Sequence, residues 1–76
     1  MTWERLIIEE DPDWEEWHKV IMSPSKGRCF LKLWVMASGN IAASMTSIDG
    51  YRARLEIKSK NMDDAKKEAF EKGVRI

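Results

Sequence analysis

Three clusters of turn-tolerant residues cut the middle of this chain into pieces of strand length: Ser23-Pro24-Ser25-Lys26-Gly27, Ser38-Gly39-Asn40 and Asp49-Gly50. The third lies between Ile41–Ile48 and Tyr51–Lys58. It predicts a hairpin closed by a two-residue type I′ turn, which needs positive φ at both Asp49 and Gly50. After that turn the residues alternate, with Tyr51, Ala53, Leu55 and Ile57 on one side and Arg52, Arg54, Glu56 and Lys58 on the other. Cys29, Leu31, Leu33 and Val35 form a second apolar row, and Ile41, Ala43 and Met45 a third of smaller side chains suited to a helix packed above them. His18 to Met22 offers one more strand. Because every connection is turn-length, the economical topology is an antiparallel meander of three or four strands.

A helix follows the sheet. Asn61 is its expected N-cap, Asp63 and Asp64 stand in its first turn, Lys72 in its last, and Gly73 just beyond. Its apolar stripe reads Met62, Ala65, Ala69 and Phe70, while Asp63–Lys67 and Glu68–Lys72 are spaced as favourable i,i+4 pairs. The fold class is therefore α+β, a meander packed against a C-terminal helix. Asp13 to Val20 admits either a short helix after Pro12 or an extended strand, and local pattern does not decide between them.

The 76 residues allow one domain, 1–76, near the lower size limit for a lone core. Chains this short usually lean on disulfides, a metal or a partner. With Cys29 the only cysteine and His18 the only histidine, neither an internal disulfide nor a Cys/His zinc cluster can be assembled from one copy. Packing or self-association remains, and a homodimer joined at sheet edges is one reading. Residues 1–17 hold seven acids against Arg5, which fits no secretory signal, so a cytoplasmic location is expected. The longest near-apolar run, Cys29 to Ala37, is broken by Lys32 and too short to span a bilayer, so no membrane partner is expected.

Net charge is zero but unevenly spread: −6 over residues 1–17 and +6 over residues 18–62. Such a basic middle suits a polyanion, although lysine and arginine on strand faces also serve to discourage edge pairing.

Catalytic patterns find no support. A Cys29–His18 nucleophile pair needs both side chains on one exposed patch, whereas a lone cysteine in an apolar row is ordinarily a small buried hydrophobe. The acids from Glu9 to Glu16 lack the glycine turn and terminal glutamate of an EF-hand loop, and read as a solvated face. The glycines are isolated, so no phosphate-cradling loop occurs, and neither Ser38 nor Ser44 sits in a nucleophile elbow. We expect a binding protein rather than an enzyme, with no cofactor and no bound metal.

Two binding surfaces stand out. On the second face of the Arg28–Met36 strand, Arg28, Phe30, Lys32, Trp34 and Met36 interleave cations with aromatics. If register adds Arg52 and Arg54, the sheet presents stacking surfaces beside phosphate partners, as single-stranded nucleic-acid binders do. The plainer arrangement has Trp3, Ile7, Trp14 and Trp17 fold over this face and bury Phe30 and Trp34 in a second layer. Trp3, Trp14 and Trp17, set in the acidic segment, either complete the core or anchor a protein partner.

The string Asp49-Gly50-Tyr51-x-Ala53, a strand, then Asp64-Ala65-Lys66-x-x-Ala69 resembles the ending of many short phage and prophage accessory proteins, over about half the chain. That resemblance implies a small sheet-plus-helix domain acting as a modulator that binds host proteins. An α-β-β-β-α order is also similar to the double-stranded RNA-binding domain, from which the chain departs by placing Asp63 and Asp64 where that family has lysines. The expected function is a non-enzymatic module that binds a protein, with nucleic-acid binding through Arg28, Phe30, Lys32, Trp34, Arg52 and Arg54 as the alternative.

Overall fold

The computed structural model describes residues 3–76. Five strands follow one another, β1 (Glu4–Leu6), β2 (Glu16–Ser23), β3 (Gly27–Val35), β4 (Ile41–Ser47) and β5 (Arg52–Leu55), and then the helix α1 (Met62–Gly73). Their order in the sheet is their order in sequence, and all four pairings are antiparallel. The expected meander and helix are present, with five strands in place of three or four. The extra strand, β1, is three exposed residues held by backbone pairing to Trp17 and its neighbours, so it leaves no apolar alternation to read.

Asp13–Val20 is not helical. β2 begins at Glu16, and the stretch before it is turn and coil in which Trp14 N–H donates to Asp11 O at 3.1 Å. The β-β-β-β-β-α order departs from that of the double-stranded RNA-binding domain.

Gly50 has φ +97°, but among the described residues no non-glycine has positive φ, so the type I′ turn does not form at Asp49-Gly50. Instead Gly50 N–H donates to Ser47 O at 3.2 Å, and Ser47 N–H to Tyr51 O at 2.9 Å. This is the pattern of a three-residue loop with a left-handed glycine in third place. The loop between β3 and β4 repeats it: Gly39 N–H donates to Met36 O and Met36 N–H to Asn40 O, both at 2.8 Å, with Gly39 at φ +88°. Serine hydroxyls stiffen the turns, Ser47 Oγ accepting from Tyr51 N–H at 3.0 Å and Ser23 Oγ from Lys26 N–H at 3.2 Å.

Alternation along each strand sends one row towards α1. Leu31, Leu33, Met45 and Cys29 are fully buried there, joined by Ile21, Ile41, Ala43 and Leu55. Removing one such large side chain from water contributes roughly 2 kcal/mol. The helix meets this layer with a ridge of small residues at i, i+4 and i+8, Ala65, Ala69 and Gly73. Gly73 is the last helical residue rather than a terminator beyond the helix, and its φ is not positive. A Cβ there would stand 2.7 Å from Ile21 Cδ1 and 3.2 Å from Leu31 Cδ2, so the absent side chain is what lets the helix end settle on the sheet.

Asn61 caps α1 as expected, its Oδ1 accepting from Asp63 N–H at 2.7 Å and Asp64 N–H at 3.3 Å. Of the two expected i,i+4 pairs Glu68–Lys72 closes, at 2.9 Å, while Asp63 and Lys67 make no ion pair among the described residues. Glu68 does more than pair. Its carboxylate accepts from the backbone N–H groups of Lys58 and Ser59 and from the Ser59 hydroxyl, tying α1 to the segment that leads into it. The far end of the stripe is looser, with Phe70 40 % exposed beneath the Lys19 ammonium.

Among the described residues no helix is long and apolar enough to cross a membrane.

Candidate functional site

α1 covers one face of the sheet only. Register sorts the other face into cross-strand rows: Glu4–His18–Lys32–Ser44–Arg54, then Val20–Phe30–Thr46–Arg52, with Leu6–Glu16–Trp34–Ala42 towards one end and Met22–Arg28 at the other. Arg52 and Arg54 thus share a face with Arg28, Phe30, Lys32 and Trp34. Strands spaced about 4.8 Å apart place Arg52 roughly 10 Å from Phe30, two strands away.

The expected second layer does not form. Trp17 lies in register with Leu33, on the helix side, where the Lys66 ammonium sits 3.3 Å from its ring centroid. Trp3 also packs against the core, and Ile7 is exposed. Parity is the reason: Trp17 belongs to the same alternating set as Lys19 and Ile21, so it cannot cover the opposite face. Trp14 reaches only the end of the face, where its indole N–H donates to Glu16 Oε1 at 3.0 Å. The Trp17 indole N–H donates to Glu15 Oε2 at 2.9 Å. These three tryptophans are half-buried, and Trp14 and Trp17 spend their polar atoms inside the chain.

Phe30 is consequently 47 % exposed and Met22 64 %. Trp34 is half-buried and flanked by cations, Lys32 Nζ at 5.0 Å and Arg54 Cζ at 5.6 Å from its ring centroid. A shallow depression of about 460 Å³ runs over Val20, Phe30, Lys32, Ser44 and Thr46. It continues past Lys32, Ser44 and Thr46 into a second, of about 490 Å³, walled by Arg52 and Arg54.

The face is electropositive. It carries Arg28, Lys32, Arg52 and Arg54 against the carboxylates of Glu4 and Glu16. Among the described residues Arg28, Arg52 and Arg54 make no ion pair, and Glu16 is already engaged. Its buried Oε2 lies 2.6 Å from His18 Nε2 and 3.9 Å from Lys32 Nζ. Burial pushes the Glu16 pKa up, but the hydrogen bonds from His18 and Trp14 and the charges of Lys32 and His18 outweigh it, so the carboxyl titrates below its ordinary range. Glu16 thereby holds Trp14, His18 and Lys32 in place at the rim.

Alternation alone marks Phe30, Trp34 and the cations. His18, Ser44 and Thr46, which floor the depression between them, carry no such signal and join the site only through register. Cys29 is fully buried on the helix side and His18 lies on the open face, so no Cys–His pair exists. Among the described residues no three His, Cys, Asp or Glu side chains gather to hold a metal ion.

Comparison with protein families, with curated proteins and with solved structures finds no match to this chain.

Proposed function

We propose that the protein binds single-stranded nucleic acid on the helix-free face of its sheet. One observation carries this reading: an exposed aromatic, Phe30, stands in a row with Arg52 on a face whose arginines have no ion-pair partner among the described residues. A stacked base uses the ring without regard to sequence, and its phosphates meet the guanidinium groups, the combination that single-strand binders rely on. Trp34 supplies a second ring, whose flanking Lys32 and Arg54 turn towards phosphate when a base replaces them. Single strands are favoured over duplex because stacking on Phe30 and Trp34 requires unpaired, splayed bases.

The competing reading is a modulator that docks a host protein, as the phage-type resemblance implies. Exposure of Met22, Phe30 and Leu6 on the same face favours it. The two differ in their response to salt, since phosphate contacts weaken steeply with added salt and an apolar protein contact does not. The test is a tryptophan-fluorescence titration with single- and double-stranded oligonucleotides at low and moderate salt, run beside Phe30→Ala and Arg52→Ala. Salt-sensitive quenching by single strands, weakened roughly tenfold or more by Phe30→Ala, is expected from a lost stacking contact. No response at low salt refutes the reading and leaves the protein partner.

A further inference from the structure

Phe30 and Trp34 lie four residues apart on one strand, hence roughly 13 Å apart along the sheet. A splayed single strand advances about twice the 3.4 Å of stacked duplex per nucleotide, so the two rings are about two nucleotide steps apart. Across the strands, Arg52 stands in the Phe30 row and Arg54 in the Lys32 row, on the same flank of both rings. At the Trp34 end the surface turns acidic on its β1–β2 side, across the sheet from Arg52 and Arg54. Trp34 is opposite Glu16, and Val35 N–H donates to Glu15 O, so the connection from β1 to β2 emerges just beyond that ring. Glu9, Glu10, Asp11 and Asp13 are all exposed on it. A strand continuing past Trp34 towards β2 would bring its phosphates against like charge.

Resting on the proposed function, we infer that this face takes a bounded single-stranded segment of about three nucleotides. The outer bases stack on Phe30 and Trp34, Arg52 and Arg54 hold the phosphates between them, and the acidic connection closes the site beyond Trp34. The footprint is therefore short by construction. With two to three phosphates neutralised, log K falls against log salt with a slope of about −2.

The test is a ladder of oligouridylates and oligodeoxyuridylates of roughly two to ten nucleotides, titrated against the whole chain at about 50 mM salt. Affinity is expected to rise about tenfold from two to four nucleotides and then by no more than about fourfold to ten, the gain from overlapping positions alone. These differ only in the 2′-hydroxyl, so ribose oligonucleotides bound better would identify RNA as the source of the strand, with the reverse identifying DNA. Steady steep gains out to ten nucleotides would refute the bounded site while leaving nucleic-acid binding intact. No binding at any length would instead refute the proposed function. In a variant carrying Glu9→Gln, Glu10→Gln, Asp11→Asn and Asp13→Asn, the ten-mer is expected to gain at least about fivefold more than the three-mer, because neutralised charges reopen the track beyond Trp34. Equal gains for both lengths would show that the acids act only as a distant field, overturning their role as the boundary.

Discussion

Replacing Glu68 by glutamine tests how the helix is tied to the sheet. The backbone N–H of Lys58, with the Lys72 ammonium and the hydroxyl and N–H of Ser59, holds the Glu68 carboxyl at about 2, against 4.5 for an ordinary glutamate. Burial opposes this and is outweighed. At 1.36 kcal/mol for each tenfold change, the gap caps the carboxylate's contribution at about 3 kcal/mol. The side chain is still about a fifth exposed, and solvent screening brings the expected value to about 2 kcal/mol. The folded pKa is depressed, so the stabilisation is complete above about pH 4.5 and is lost as pH falls towards 2. Glu68→Gln keeps the shape but loses the charge. It is expected to unfold about 2 kcal/mol more easily in urea at pH 7 and to approach the parent protein near pH 2. A loss below about 0.5 kcal/mol at pH 7, the usual range of surface substitutions, would refute the anchoring role. So would a difference between the two proteins that does not shrink with acid.

Gly73→Ala separates two roles for one glycine. Alanine ordinarily favours a helix by up to about 1 kcal/mol over glycine. Here its methyl enters a filled space beside Ile21 and Leu31 at a crowding cost of about 2 kcal/mol, so a net loss near 1 kcal/mol is expected in chemical denaturation. Gly73→Asn should cost more still, whereas a glycine serving only as a left-handed terminator would tolerate asparagine best; a stabilised alanine variant would refute the packing role. Asn61→Ala removes the acceptor for two N–H groups and should lower stability by about 1 kcal/mol, read as a fall of roughly 4–8 °C in the melting temperature. An unchanged melting temperature would show that water replaces the cap without cost.

β3, β4 and the helix were legible because each declares itself locally, the strands by period-two rows and the helix by Asn61 and its acidic first turn, whereas β2 was offered only over His18 to Met22 with its start undecided. β1 was not, since Glu4, Arg5 and Leu6 are exposed and held by pairing alone. Nor was the span of β5. Its alternation runs on through Lys58, but pairing stops at Leu55, and the backbone beyond turns to Glu68 for its hydrogen bonds. The role of Gly73 was misread for a similar reason: a glycine at a helix end has the same local signature whether it terminates the helix or makes room for the sheet. In the site, the Arg28–Trp34 row could be read from one strand, whereas its union with Arg52, Arg54, Ser44 and Thr46 depends on register across two hairpins. That register is set by three-residue loops where Asp49-Gly50 suggested two. The tryptophans misled because composition counts them without parity; once β2 is known to run through Glu16–Ser23, Trp17 falls on the helix side by alternation.

The two matched loops also bear on how the chain reaches its native state. Because each strand pairs with its neighbour in sequence, the sheet can close by successive short-range steps, each costing little chain entropy. The docking of α1 on β2, β3 and β4 is the step that brings together segments distant along the chain. Refolding should accordingly be fast for a domain built mostly of strands, within milliseconds, with the central hairpins forming ahead of the helix contact. Substitutions at Gly73 should then accelerate unfolding and leave the folding rate nearly unchanged.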